Sequence, residues 1–99
     1  MKKENEKEDW RDASMDKDER DISVDMFEEN NRLRVIAELP GVNENDIRLD
    51  LNQDALIISA SRGKLNYRKV VKLPRISEDI VRKIYNNGIL EITLKLESA

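Results

Sequence analysis

Tyr85-Asn86-Asn87-Gly88-Ile89-Leu90, with the run that follows it to Leu96, decides how this chain is read. Leu90, Ile92, Leu94 and Leu96 alternate with Ile89, Glu91, Thr93 and Lys95, giving one apolar face and one mixed face at the period of a half-buried strand. Asn-Gly directly before such a run is the strongest short-range hairpin signal. Ile80-Val81-Arg82-Lys83-Ile84-Tyr85 is then the partner strand, in one of two registers. A two-residue loop, Asn87-Gly88, sets Lys83 opposite Ile92 on the apolar face and so buries a charge. A three-residue loop, Asn86 to Gly88 with Gly88 left-handed, pairs Ile84 with Leu90 and Lys83 with Glu91. This second register is preferred, because it aligns the apolar faces and opposes unlike charges across the ladder.

Upstream, the same alternation recurs in short runs. Ile22, Val24 and Met26 share a face in Asp21 to Phe27, Glu29-Asn30-Asn31 turns the chain, and Leu33, Val35 and Ala37 repeat the pattern from Arg32 to Leu39. Pro40-Gly41 ends that hairpin, since proline has no N–H to give to a central ladder. Ile47, Leu49 and Leu51 then alternate with Arg48 and Asp50, and Asn52-Gln53-Asp54 turns into Ala55 to Ala60. The short connection Ser61-Arg62-Gly63-Lys64 leads into Leu65 to Leu73, which holds Tyr67, Val70 and Val71 and is stopped by Pro74. Ser77-Glu78-Asp79 is expected to cap one short helical turn before the opening hairpin. Close-spaced strands with turn residues between them, and no sustained helical period, indicate an all-β antiparallel sandwich.

Composition bounds the function. The chain has 99 residues, enough for one domain with a single modest core, and is 38% hydrophobic and 39% charged. Residues 1–20 are so dominated by Lys, Glu, Asp and Arg that they are expected to form a flexible charged arm, with residues 21–99 as the domain. Trp10 is the exception in the arm, a candidate contact with the domain, a second subunit or a client, set against the plainer reading of a solvated side chain. No apolar stretch nears the roughly 20 residues of a membrane helix, and no signal-type apolar region opens the chain, so a soluble, cytoplasmic protein is expected. The net charge of −3 with interspersed signs gives no pull toward nucleic acid or an anionic membrane.

The absence of cysteine and histidine rules out thiol chemistry, His-dependent general bases and the usual zinc ligand sets. Asp16-Lys17-Asp18-Glu19 lacks the glycine turn and bidentate glutamate of a calcium loop, and Gly63-Lys64 lacks the rest of a phosphate loop. No enzyme, cofactor or metal is expected from these residue types.

Three separated motifs nevertheless carry a resemblance. Ala37-Glu38-Leu39-Pro40-Gly41-Val42, followed by Glu44-Asn45-Asp46-Ile47, looks like the Leu-Pro-Gly-Val strand and loop of the α-crystallin domain. Val71-Lys72-Leu73-Pro74 is similar to that domain's Leu-Pro before its penultimate strand, and Asn87-Gly88-Ile89-Leu90-Glu91-Ile92-Thr93-Leu94 to its last core strand. In this order, over Asp21 to Leu96, they resemble the small heat-shock (Hsp20) family. The resemblance implies an immunoglobulin-like sandwich of about seven to eight strands that holds unfolding clients without ATP. It also implies a groove, here walled by Ile47, Leu49, Leu51, Val81 and Ile84, although core filling is the main expected role of Leu49 and Ile84. Two departures stand out. The connection Ser61 to Lys64 is too short to hold the swapped dimerisation strand of many members, and no Ile-x-Ile tail follows Leu96; Leu94-Lys95-Leu96 imitates its spacing but is expected to finish the last strand. A monomer or dimer is therefore expected, with unfolding clients or a partner chaperone as partners. A p23/CS-type adaptor that binds a folded partner stays open as the alternative.

Overall fold

The computed structural model describes residues 18–98, which form eight strands in two four-stranded sheets packed face to face. The strands are β1 (Asp18–Arg20), β2 (Val24–Glu29), β3 (Arg32–Glu38), β4 (Ile47–Asn52), β5 (Ala55–Arg62), β6 (Leu65–Lys72), β7 (Ser77–Asn86) and β8 (Ile89–Leu96). One sheet has the order β1-β6-β5-β4 and the other β2-β3-β8-β7. No helix among the described residues is long and apolar enough to cross a membrane.

On β3, β5 and β8 the alternation read from the sequence is the alternation of burial, whereas on β2 Met26 is 44% exposed. Leu33, Val35 and Ala37 on β3, Leu56, Ile58 and Ala60 on β5, and Leu90, Ile92, Leu94 and Leu96 on β8 all lie in one core cluster. Burying each of the larger aliphatic side chains contributes roughly 1.5–3 kcal/mol, so the two central strands of the second sheet carry much of the stability. Leu94 and Leu96 finish β8 as expected, both inside the core.

Four expectations are corrected. The β7–β8 hairpin takes the two-residue loop: Asn86 pairs with Ile89, Tyr85 with Leu90, Ile84 with Glu91 and Lys83 with Ile92. Asn87 and Gly88 both have positive φ (53° and 80°), the backbone signature of the primed turn whose twist matches the flanking strands. The argument against this register was the burial of Lys83, but β7 is an edge strand and Lys83 stays exposed, its ammonium in water. A one-residue slip reverses every facing, so Tyr85 takes the inner face and Ile84 the outer one. Secondly, Ser77 caps no helical turn. It opens β7, 1% exposed, with its hydroxyl donating to the Lys95 carbonyl at 2.7 Å. The one short helical turn among the described residues is Glu44–Asp46, after the Pro-Gly bend, where the Asp46 carboxylate accepts from the Asn43 N–H at 2.8 Å. Thirdly, Asp18–Arg20, placed in the arm by composition, forms β1. Lastly, β1 pairs in parallel with Leu65–Tyr67 of β6, so the sandwich is antiparallel except at that edge.

Candidate functional site

The described residues offer no metal-holding cluster of three or more carboxylate, histidine or cysteine groups. What they offer is a cleft in the sense of an uncovered apolar strip between two sheet edges. β4 ends one sheet, β7 ends the other, and the two lie next to each other on the same flank of the sandwich.

From β4 the inward positions are Ile47, Leu49 and Leu51, opposite Ala60, Ile58 and Leu56 of β5. Ile47 is buried in the core, whereas Leu49 and Leu51 are half-buried because no further strand covers their flank. From β7 the inward positions are Ile80, Lys83 and Tyr85, opposite Leu94, Ile92 and Leu90. Ile80 and Tyr85 pack against the core and are half-buried. The floor of the cleft is thus Leu49, Leu51, Ile80 and Tyr85, with Lys83 at its rim.

The sequence-predicted wall on β7 needs correcting. Ile84, 37% exposed, shares the outer face with Glu91. Val81, 39% exposed, sits where the ladder skips a residue between Ile80 and Arg82. Ile80 and Tyr85 take their places. The signal for them was present in the two-residue register, which the cost assigned to Lys83 set aside. Trp10 lies outside the described residues.

Tyr85 also fixes the cleft's end. Its hydroxyl lies 2.6 Å from the Leu39 carbonyl and 3.0 Å from that of Val42, donating into the Leu-Pro-Gly-Val bend. From the other sheet, the Tyr67 hydroxyl donates to the Pro40 carbonyl at 2.7 Å. The Leu39 N–H donates to the Gly88 carbonyl at 2.7 Å, and a Cβ on Gly88 would stand 3.3 Å from Pro40 Cα. Two motifs far apart in sequence therefore close on one another, and two tyrosines pin them. Desolvation, with smaller contributions from Tyr67 and Asp46, raises the Tyr85 pKa above its ordinary 10.0, so the phenol stays a donor through the neutral range.

The outer face of the second sheet carries a concavity of about 520 Å³. The Arg34 guanidinium stands 5.6 Å from the centre of the Phe27 ring and 3.6 Å from the Glu91 carboxylate. Arg82 and Thr93 also line it. Its charged lining sets three acids, Glu28, Glu29 and Glu91, against three bases, Arg32, Arg34 and Arg82.

No protein-family model matches the chain. It is 31% identical over 86 residues to the probable 15 kDa heat shock protein of Leptospira interrogans, covering 72% of this chain and 66% of that protein. It is 32% identical over 95 residues to heat shock protein HSP.16.4 of Streptococcus thermophilus, covering 78% of this chain and 67% of that protein. The chain thus spans about two thirds of the length of both. Among solved structures, the Del-C4 mutant of hsp14.1 from Sulfolobus solfataricus P2 superposes with a TM-score of 0.70 at 31% identity, covering 79% of this chain and 77% of that one.

Proposed function

The chain belongs to the small heat shock protein family, and on that premise we propose that it is an ATP-independent holdase whose β4–β7 cleft covers apolar segments of unfolding clients. The observation that carries this reading is the pairing of half-buried Leu49 and Leu51 with Ile80 and Tyr85 along two neighbouring sheet edges. An extended client segment gains twice there, by apolar contact with the cleft floor and by backbone hydrogen bonds to an open edge. No nucleotide chemistry enters, because capture needs only exposed surface on both partners.

The holdase works as a monomer or dimer at dilute concentration. The β5–β6 connection closes in two residues, since Arg62 pairs with Leu65 across Gly63-Lys64, and this leaves no segment there to exchange with a second subunit. Light scattering from a heated test client, such as citrate synthase, at equimolar chain is the direct check. Aggregation is expected to be suppressed, and Leu51→Glu, a charge set into the cleft floor, is expected to weaken suppression at least several-fold with the melting temperature of the domain followed in parallel. No suppression by the unaltered chain at several-fold excess overturns the reading and favours an adaptor that binds a folded partner.

A further inference from the structure

We infer that β2 of one copy pairs antiparallel with β7 of a second copy, joining their β2-β3-β8-β7 sheets edge to edge in one fixed register. Three independent features select that register.

The first is hydrogen-bond phase. In each two-residue hairpin the residues flanking the loop, Glu29 with Arg32 and Asn86 with Ile89, form the hydrogen-bonded pair. Every second residue beyond them turns its N–H and C=O away from the sheet: Glu28, Met26 and Val24 on β2, Tyr85 and Lys83 on β7. None of these groups meets a backbone partner outside its own sheet among the described residues.

The second is facing. All neighbours in the sheet are antiparallel, so β2 and β7 run in opposite directions. A copy displaced sideways without being turned over then sets β2 beside β7 antiparallel, with inner faces aligned.

The third is chemistry. Aligning Met26 with Tyr85 puts open backbone groups opposite each other and brings Glu28 to Lys83, Phe27 to Ile84 and Glu29 to Arg82. Apolar thus meets apolar, and acid meets base, on both faces. Met26 and Phe27 are 44% and 52% exposed, and Glu29, Arg82 and Lys83 enter no ion pair within the described residues, whereas Glu28 already pairs with Arg75 and would take Lys83 as a second base. The neighbouring registers fail. A shift of two residues either drives Glu28 onto Val81 in the bulge or sets Glu28 and Glu29 against Tyr85 and Ile84. Pairing of β2 with a second β2 fails as well, because that strand carries three acids, Asp25, Glu28 and Glu29, and no base.

The contact is heterologous, so each added copy leaves one β2 and one β7 free. A five-residue strand pair buries less than the roughly 800 Å² per partner of a standard interface, and association is accordingly weak and reversible.

Sedimentation velocity on the full chain tests this. The average mass is expected to climb from the monomer as concentration rises from about 10 μM to about 1 mM, and to fall back with added salt. Glu29→Lys and Arg82→Glu should each weaken association by roughly tenfold or more through like-charge contact, while the doubly substituted chain and the equimolar mixture of the two single variants recover it. Mass that does not change with concentration, or an Arg82→Glu chain that associates like the parent, overturns the inference. The chain has no cysteine, so mixing Phe27→Cys with Ile84→Cys reads the register independently of charge. A disulfide joining position 27 of one copy to position 84 of the other supports it. Dominant 27-to-27 linkage, or no linkage, overturns it.

Discussion

The two edges of the β2-β3-β8-β7 sheet are held by opposite chemistries. At the β7 edge the clamp is neutral and half-buried: Tyr85 donates into the Leu39–Val42 bend, and Gly88 lies against Pro40. At the β2 edge the clamp is charged. Arg75 pairs with Glu28 at 2.7 Å, donates to the Asn31 side chain at 3.0 Å and donates to the Glu97 carbonyl at 2.8 Å. Only Val24 on β2 is even half-buried. A strand backed by a neighbour across the sandwich can be fixed by packing and a single phenol. A strand with little beneath it is fixed through one guanidinium that reaches three partners. The client-binding face proposed here belongs to the first kind of edge, where apolar side chains are held in place without being covered.

The largest test of this contrast is Gly88→Val. Positive φ and the close approach to Pro40 together should cost about 2 kcal/mol, seen as a lowered urea midpoint. Next, Tyr85→Phe leaves the Leu39 and Val42 carbonyls without their donor and should cost about 1–1.5 kcal/mol, nearly unchanged between low and high salt. Arg75→Met should cost about 1 kcal/mol at low salt and clearly less in molar salt, since one of its three partners, the Glu28 carboxylate, is charged and partly solvated. Equal salt dependence in these two variants would erase the distinction between the clamps.

A smaller effect concerns pH. The folded Tyr85 pKa is raised, so the native state favours the protonated phenol, and the stability this gives is complete below the ordinary 10.0 and is lost as pH climbs through the folded value. Thermal melts from about pH 9 upward should show that loss in the parent and less of it in Tyr85→Phe. The smallest effect is Phe27→Ser on the outer face of β2, expected to stay within about 0.5 kcal/mol of the parent.

The sequence was a good guide where a side chain's surroundings repeat at the period of the strand. Leu33, Val35, Ala37, Leu90, Ile92 and Leu94 alternate because both neighbouring strands are present, and each lies in the core. It misled where a strand lacks a neighbour. The cost assigned to Lys83 assumed cover that an edge strand does not have, and the resulting one-residue slip named Ile84 instead of Tyr85 for the cleft. Ser77 is favoured both at helix N-caps and at strand ends, so local preference alone did not separate the two. The buried partner at Lys95 did. Composition likewise assigned Asp18–Arg20 to the arm, because pairing with β6 uses backbone groups that no side-chain pattern records.

The sequence by itself determined the all-β class, where along the chain the hairpins fall, the core faces of the central strands and the Gly88 backbone requirement, because these depend on local sterics and on side-chain period. The order of strands in each sheet, the meeting of the Leu-Pro-Gly-Val bend with the Asn-Gly turn, and the half-exposure of Leu49, Leu51, Ile80 and Tyr85 were decided only by tertiary structure. They depend on which elements lie beside each other, and an edge differs from a centre only by the strand that is missing.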